Sequence, residues 1–286
     1  MPCTEKLTIF SPAKVNLHLA VKNRREDGFH ELESLFLALN FGDLLHFKAI
    51  DAVSDEISMG NCPVPMLDNI IYKAITLFRQ KTGFSLGFNV NVEKRIPLGG
   101  GLGGGSSNAA ATLLALNKIL GSQGEALSRE ALLEMAAALG SDVPFFIHET
   151  PAARVYGRGE IIEPVDMPPM FLVLVNPGFP SDTARAFRLL DEKRIITKEL
   201  TRGHGGFGLN MKEFYNDFLD VFPEKERETY NEIISVLQSQ GVLYANLSGS
   251  GATCFGIFEG EKQAQKAAQA LRGKWDFVEC CAKKGD

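Results

Sequence analysis

Apolar and polar residues alternate over residues 13–21, with Val15, Leu17, Leu19 and Val21 on one face and Lys14, Asn16 and His18 on the other. Successive side chains of a strand point to opposite faces, so this period predicts a half-buried strand whose second face is polar. Asp27-Gly28 marks a turn, and ELESLFLALNFGDLLHF (31–47) reads as one or two further strands. The period then changes: Ile71, Ala74, Ile75 and Phe78 recur at helical spacing between an Asp68-Asn69 start and a closing Gly83. FNVNVEKRI (88–96) alternates again and leads into Pro97. AAATLLALNKIL (109–120) predicts a helix with Ser106, Ser107 or Asn108 as its N-cap. REALLEMAAAL (129–139) predicts the next, capped by Ser128 and ended by Gly140.

The second half continues with a strand at MFLVLV (170–175) and helices at TARAFRLL (183–190), LNMKEFYNDFLDVF (209–222) and NEIISVLQSQ (231–240). LYANLSGSGATCFGIF (243–258) reads as a loop running into a strand, EKQAQKAAQALRG (261–273) as a helix, and FVECCA (277–282) as a last strand. Strands and helices mix without regular alternation, which predicts an α+β fold. Composition shifts toward loop residues around Gly157-Arg158-Gly159, so two domains are expected, residues 1–155 and 156–286.

With 286 residues, 45% hydrophobic and 23% charged, the chain has the composition of a globular protein. A formal charge of -5 argues against a protein that coats nucleic acid or an anionic membrane, while leaving a small anionic ligand open. No cationic segment precedes a long apolar run, and no stretch approaches the roughly 20 apolar residues of a membrane span. Cys3, Cys62, Cys254, Cys280 and Cys281 match neither zinc nor disulfide spacing, so a reduced, cytoplasmic protein is expected, as monomer or homodimer. The histidines show no metal spacing, and no G-x-S-x-G nucleophile turn is present.

The stretch PLGGGLGGGSSN (97–108) holds six glycines in nine positions, each costing roughly 0.5 to 1 kcal/mol against alanine inside a regular element. A glycine loop opening a helix suits an anion, because the first helical N–H groups lack partners and carry the positive end of the macrodipole. A P-loop is excluded by the absence of lysine between residues 98 and 117. Gly99, Gly101 and Gly104 satisfy the dinucleotide pattern G-x-G-x-x-G. Pro97, however, interrupts the strand that should feed it, and no acidic residue ends a second strand about 20 positions on.

The run Pro97-Leu98-Gly99-Gly100-Gly101-Leu102-Gly103-Gly104-Gly105-Ser106-Ser107-Asn108 resembles the phosphate loop of the galactokinase, homoserine, mevalonate and phosphomevalonate kinase (GHMP) superfamily. SPAKVNLHL (11–19) and NLSGSGATCFGIF (246–258) supply two further motifs in the same order. DGFHELESLF (27–36) and GSDVPFFI (140–147) look like the members that act on a diphosphocytidyl ester. The resemblance implies a two-domain small-molecule kinase with ATP bound in the cleft between an N-terminal ATP-binding domain and a C-terminal domain that closes it. It implies phosphorylation of the 2-hydroxyl of 4-diphosphocytidyl-2-C-methyl-D-erythritol, in the non-mevalonate isoprenoid precursor pathway. The rival readings are a homoserine- or mevalonate-type kinase and a non-catalytic nucleotide-binding protein on the same fold.

Residue by residue, Asp142 sits past a helix end in a turn shaped by Gly140 and Pro144, either as a cap or as an acceptor facing substrate. The resemblance makes it the catalytic base and pairs it with Lys14, a cation that keeps it ionised and offsets the charge of the alkoxide. The loop from Pro97 through Ser107 wraps the ATP phosphates, Ser107 ligates Mg²⁺, and Asn69 and Lys94 match positions near adenine. Phe29 and His30 follow a turn and are expected to be exposed, suited to stacking on a base and bonding its edge. Phe187 matches the second ring of a cytosine sandwich. Asn16 and Thr183 are expected on the polyol or diphosphate, and Gly249 and Ser250 near the acceptor hydroxyl.

Overall fold

A computed structural model of the chain describes residues 6–50, 54–60, 64–122, 124–197 and 209–285, so Cys3 and Cys62 lie outside the described residues. The chain folds into two compact units interleaved in sequence. The first comprises Met1–Ala13, Gly42–Ile96 and Gly103–Thr150, and the second Lys14–Phe41, Pro97–Leu102 and Pro151–Asp286. Two long strands, β1 (Lys6–Arg24) and β2 (His30–Ile50), contribute to both, so 31–47 belongs to one continuous strand.

In the first unit, residues 44–50 of β2 pair antiparallel with β4 (Gly87–Glu93), and β3 (Glu56–Ser58) joins β4 in parallel. Four helices accompany these strands: α1 (Ile70–Thr82), α2 (Gly104–Gly121), α3 (Arg129–Leu139) and α4 (Val143–His148). The side chain of Asn69 accepts the Ile71 N–H at 3.0 Å to cap α1, and Gly83 ends it in the left-handed region. Ile71, Ala74, Ile75 and Phe78 form the buried face, as their spacing predicts. Ser128 caps α3 through the Ala131 N–H. Helix α2 is buried over most of its length and packs against α1, α3 and α4.

In the second unit, residues 32–37 of β2 pair with β5 (Ala152–Gly157), which pairs in turn with β6 (Ile161–Pro164). A separate antiparallel sheet has the order β10 (Phe277–Ala282), β7 (Phe171–Asn176), β9 (Cys254–Phe258), β8 (Tyr244–Leu247). Helices α5 (Thr183–Thr197), α6 (Glu224–Ser239) and α7 (Glu261–Leu271) belong to this unit. Its core joins Val173 and Val175 of β7 to Ile233 and Leu237 of α6, Phe258 of β9 and Ala264 of α7.

Helix α6 begins at Glu224, seven residues before the expected start, α5 runs to Thr197, and 244–247 is a strand; two further differences bear on the site. Residues 209–222 form no α-helix, only a 3₁₀ turn at Met211–Glu213. Here side chains and a neighbouring strand take the backbone bonds a helix needs: Leu19 N–H donates to the Tyr215 carbonyl, Asp217 N–H to the Leu19 carbonyl, and Asn216 Oδ1 accepts the Phe218 N–H. The α2 N-cap is Gly103 rather than Ser106, Ser107 or Asn108, because Gly103 at φ 68° turns the chain into the helix without any side-chain cap. Among the described residues, no helix is long and apolar enough to cross a membrane.

Candidate active site

The glycine run divides at Leu102. In the second unit every carbonyl from residue 99 to 102 is bonded back into the protein. Gly99 accepts from the N–H groups of Ser181 (2.9 Å) and Ala252 (3.3 Å), and Gly100 from that of Thr253 (3.1 Å). Gly101 accepts from Ser248 Oγ (2.9 Å), and Leu102 from the Lys14 N–H (2.9 Å). With its carbonyls bonded within the protein, the loop has main-chain N–H donors to offer an anion. Gly101 has φ 72°, and a Cβ there would overlap the carbonyl oxygen of Ser248, so this glycine answers to backbone packing. Pro97 and Leu98 complete this half, with Leu98 about half exposed.

In the first unit the run continues as the start of α2. Gly104, Gly105 and Ser106 fill the first turn, where N–H groups have no intrahelical acceptor, and the first ladder bond nearby runs from Ser107 N–H to the Gly103 carbonyl (2.8 Å). A Cβ on Gly105 would meet no atom closer than 4.0 Å, which leaves its backbone open to a ligand. Ser107 is buried, and its Oγ accepts from Ser11 Oγ at 2.7 Å; Ser11 also lies 2.7 Å from Asn108 Oδ1. Lys94 is bound to the fully buried Asp43 through Nζ and Oδ2 (2.7 Å), while Oδ1 of the same carboxylate accepts the N–H groups of Arg95 and Ile96. A Cβ on Gly104 would lie 3.2 Å from Lys94 Nζ, so this ammonium stands beside the first turn of α2. Asn69 is buried, with its amide spent on the α1 cap and on Met59 Sδ (3.3 Å).

The polar face of β1 is buried rather than half-exposed, because its side chains bond to one another and to neighbouring segments of the second unit. Lys14 and Asn16 are both buried, with Lys14 Nζ 2.6 Å from Asn16 Oδ1 and 4.6 Å from the centre of the Phe36 ring. Asn16 N–H donates to Ser248 Oγ (3.3 Å), the hydroxyl that holds Gly101. Gly249, at φ 56°, brings its backbone beside Asn16: a Cβ there would be 3.3 Å from Asn16 Oδ1. Asn216 Nδ2 donates to the carbonyls of Leu247 and Gly249, both at 2.8 Å, fixing this turn from below. Ser250 Oγ meets Thr183 Oγ1 at 2.8 Å, and Ser181 Oγ donates to the Ser250 carbonyl. Thus Lys14, Asn16 and the turn with Gly249 and Ser250 share one neighbourhood with the loop carbonyls, and Thr183 joins it through Ser250. Sequence reasoning missed Ser34, Phe36, Ser181, Ser248 and Asn216. Serine and asparagine carry no pattern that separates a network member from a surface residue.

Asp142 is the N-cap residue of α4, and its carboxylate makes no capping bond to that helix. The turn is held instead by Val143 N–H donating to the Gly140 carbonyl (3.2 Å), with Pro144 in the first turn of α4.

The aromatic group is only partly as expected. Phe29 is 50% exposed, with Arg158 over its ring at 4.9 Å. Its N–H donates to Asp27, which holds that carboxyl below the usual range. His30 is buried, against expectation, because β2 already begins there; its Nε2 lies 2.8 Å from Asp191 Oδ1 and its ring stacks on Phe187 at 5.0 Å. Phe187 also meets Phe218 edge-on and packs against the core of its unit. The buried thiols of Cys254 and Cys281 are pushed up by desolvation, and no group of three or more metal-ligating His, Cys, Asp or Glu side chains occurs among the described residues.

Comparison with known proteins gives the class of the chain, a small-molecule kinase. The family model described as GHMP kinases N terminal domain matches residues 69–150, and that described as GHMP kinases C terminal matches residues 196–276. The chain belongs to the GHMP kinase family and is an ATP-dependent small-molecule kinase. Among its relatives, the 4-diphosphocytidyl-2-C-methyl-D-erythritol kinase of Syntrophus aciditrophicus is 38% identical over 291 residues, covering 98% of this chain and 100% of the relative. That of Thermodesulfovibrio yellowstonii is 35% identical over 279 residues, covering 94% and 95%. A crystal structure of 4-(cytidine 5'-diphospho)-2C-methyl-D-erythritol kinase superposes with a TM-score of 0.77 at 30% identity, covering 98% of this chain and all of the other. Mevalonate kinase of Methanococcus jannaschii, at 13% identity and a TM-score of 0.64, shares the fold.

Proposed function

We propose that the protein transfers the γ-phosphoryl group of ATP to the 2-hydroxyl of 4-diphosphocytidyl-2-C-methyl-D-erythritol. The hydroxyl oxygen bonds to the γ-phosphorus, the bond from that phosphorus to the β,γ-bridging oxygen breaks, ADP leaves, and the proton passes to Asp142. Lys14 offsets the charge that develops on the attacking oxygen. The amides of the loop and of the first turn of α2 hold the phosphates, with Lys94 beside them and Asn69 toward adenine. Asn16, Thr183, Gly249 and Ser250 hold the polyol and diphosphate, and Phe29, His30 and Phe187 the cytosine. Residues 1–155 thereby carry the nucleotide chemistry, and residues 156–286 contribute the remainder of the acceptor contacts. Ser107, whose Oγ accepts from Ser11, would hold the Mg²⁺ that accompanies the nucleotide, and the cation would offset phosphate charge. The reaction belongs to cytoplasmic isoprenoid precursor synthesis.

One observation supports this acceptor over homoserine or mevalonate. Relatives with the diphosphocytidyl name match across nearly the whole chain at 35–38% identity, whereas a homoserine kinase and the Methanococcus jannaschii mevalonate kinase match at 16% and 13% and share only the fold. Incubation of the purified protein with ATP and the diphosphocytidyl alcohol is expected to yield ADP and the 2-phosphorylated product in equal amounts. No ADP above background overturns the reading in favour of a binding protein, and ADP formed only with homoserine or mevalonate favours those rivals.

A further inference from the structure

Behind Asn16 runs a buried chain of hydrogen bonds whose direction is forced from both ends. Lys14 Nζ can only donate, so the atom it meets at 2.6 Å must be the oxygen of the Asn16 amide. At the other end, the His18 carbonyl can only accept, so Ser34 Oγ, 2.5 Å away, gives it the hydroxyl proton. Having spent its one proton, Ser34 Oγ accepts from Asn16 Nδ2 at 2.9 Å. The four residues are 1–4% exposed. An amide flip would set Nδ2 against the ammonium and Oδ1 against a hydroxyl with no proton left to give, so both contacts would fail together.

We propose that Ser34 is a positioning residue: it locks the Asn16 amide with its oxygen toward Lys14, and so sets where the Lys14 ammonium stands during phosphoryl transfer. Ser34 lies on β2, within the stretch DGFHELESLF (27–36) but at a position to which the resemblance gives no role, and acts through Asn16 without touching substrate. The proposal rests on the kinase reading for its kinetic consequence, but its structural core does not. Without the Ser34 hydroxyl, the Asn16 amide loses the acceptor that fixes its orientation and can take either one. The ammonium is then held part of the time, which lowers kcat and leaves ATP binding alone.

Two measurements test this. In steady-state kinetics with ATP and the diphosphocytidyl alcohol, Ser34→Ala is expected to lower kcat about tenfold with KM for ATP unchanged, and Ser34→Thr to restore it. In an Asn16→Ala background, Ser34→Ala is expected to cost less than about twofold more, because both changes remove one interaction. Losses that multiply, or an S34A protein at the parent rate, overturn the proposal. The second measurement needs no turnover: the side-chain amide protons of Asn16, followed by NMR hydrogen exchange, are expected to be protected in the parent and to exchange at least about tenfold faster in S34A. Equal protection in both proteins overturns it. An inactive parent with the exchange difference present counts against the kinase reading and leaves the Ser34 lock standing.

Discussion

Asp142 and its amide analogue have nearly the same shape, which makes their exchange a clean test of the proton's destination. The residue heads α4 without capping it, so converting the carboxylate to an amide breaks no capping bond in that helix. Asp142→Asn is therefore expected to keep KM for ATP within about twofold while kcat falls about 100- to 10,000-fold, the usual contribution of a general base. Thermal unfolding should change little. Parental turnover in the asparagine protein would remove Asp142 from the chemistry. Lys14 and Asp142 could both be picked out from their motifs, but what surrounds Lys14 could not. Ser34 is 20 residues away in sequence and Ser248 more than 200. They acquire roles only when strand pairing and the second glycine turn bring them beside Asn16.

Side-chain caps made the starts of α1 and α3 legible, whereas the start of α2, set by a glycine alone, was not. Helices α1 and α3 begin at Asn69 and Ser128, whose oxygens take first-turn N–H groups, and both were placed to within a residue. Helix α2 begins at Gly103, where a left-handed glycine does the turning, so the expected start fell three to five residues late. That difference matters for function, because it puts glycines and Ser106 in the uncapped turn and moves Ser107 into the ladder. Residues 209–222 have helical spacing, yet Asn216 and Asp217 bond elsewhere and β1 takes the backbone. The α1 cap also permits a test that separates stability from binding. Asn69→Ala is expected to cost about 1 kcal/mol in chemical denaturation, since an N-cap is lost. Asn69→Asp keeps the cap oxygen but discards the amide donor. It is expected to recover the stability while KM for ATP stays raised, if Asn69 meets adenine as proposed. A normal KM in the aspartate protein would reduce Asn69 to a cap.

A chain with a net charge of -5 must bind two polyanions without help from its overall field. Selectivity therefore falls to short-range groups: main-chain donors for phosphate, and for the acceptor a ring that stacks on the base. Phe29 is the exposed ring among the three proposed, since His30 and Phe187 are stacked on each other, and Arg158 already occupies one of its faces as a cation would. A pyrimidine has an uncharged π-face and can take the same place, a contact worth about 1–3 kcal/mol per base when the ring is removed. CMP and CDP are accordingly expected to inhibit competitively against the diphosphocytidyl alcohol and not against ATP. Phe29→Ala should weaken that inhibition about 5- to 150-fold, the same energy expressed as a ratio, with KM for ATP unchanged. The outcome bears on the identity of the acceptor directly: a homoserine- or mevalonate-type site has no use for a cytosine. Cytidine nucleotides that compete only with ATP, or inhibition indifferent to the loss of the Phe29 ring, would place the base elsewhere and reopen the choice of substrate.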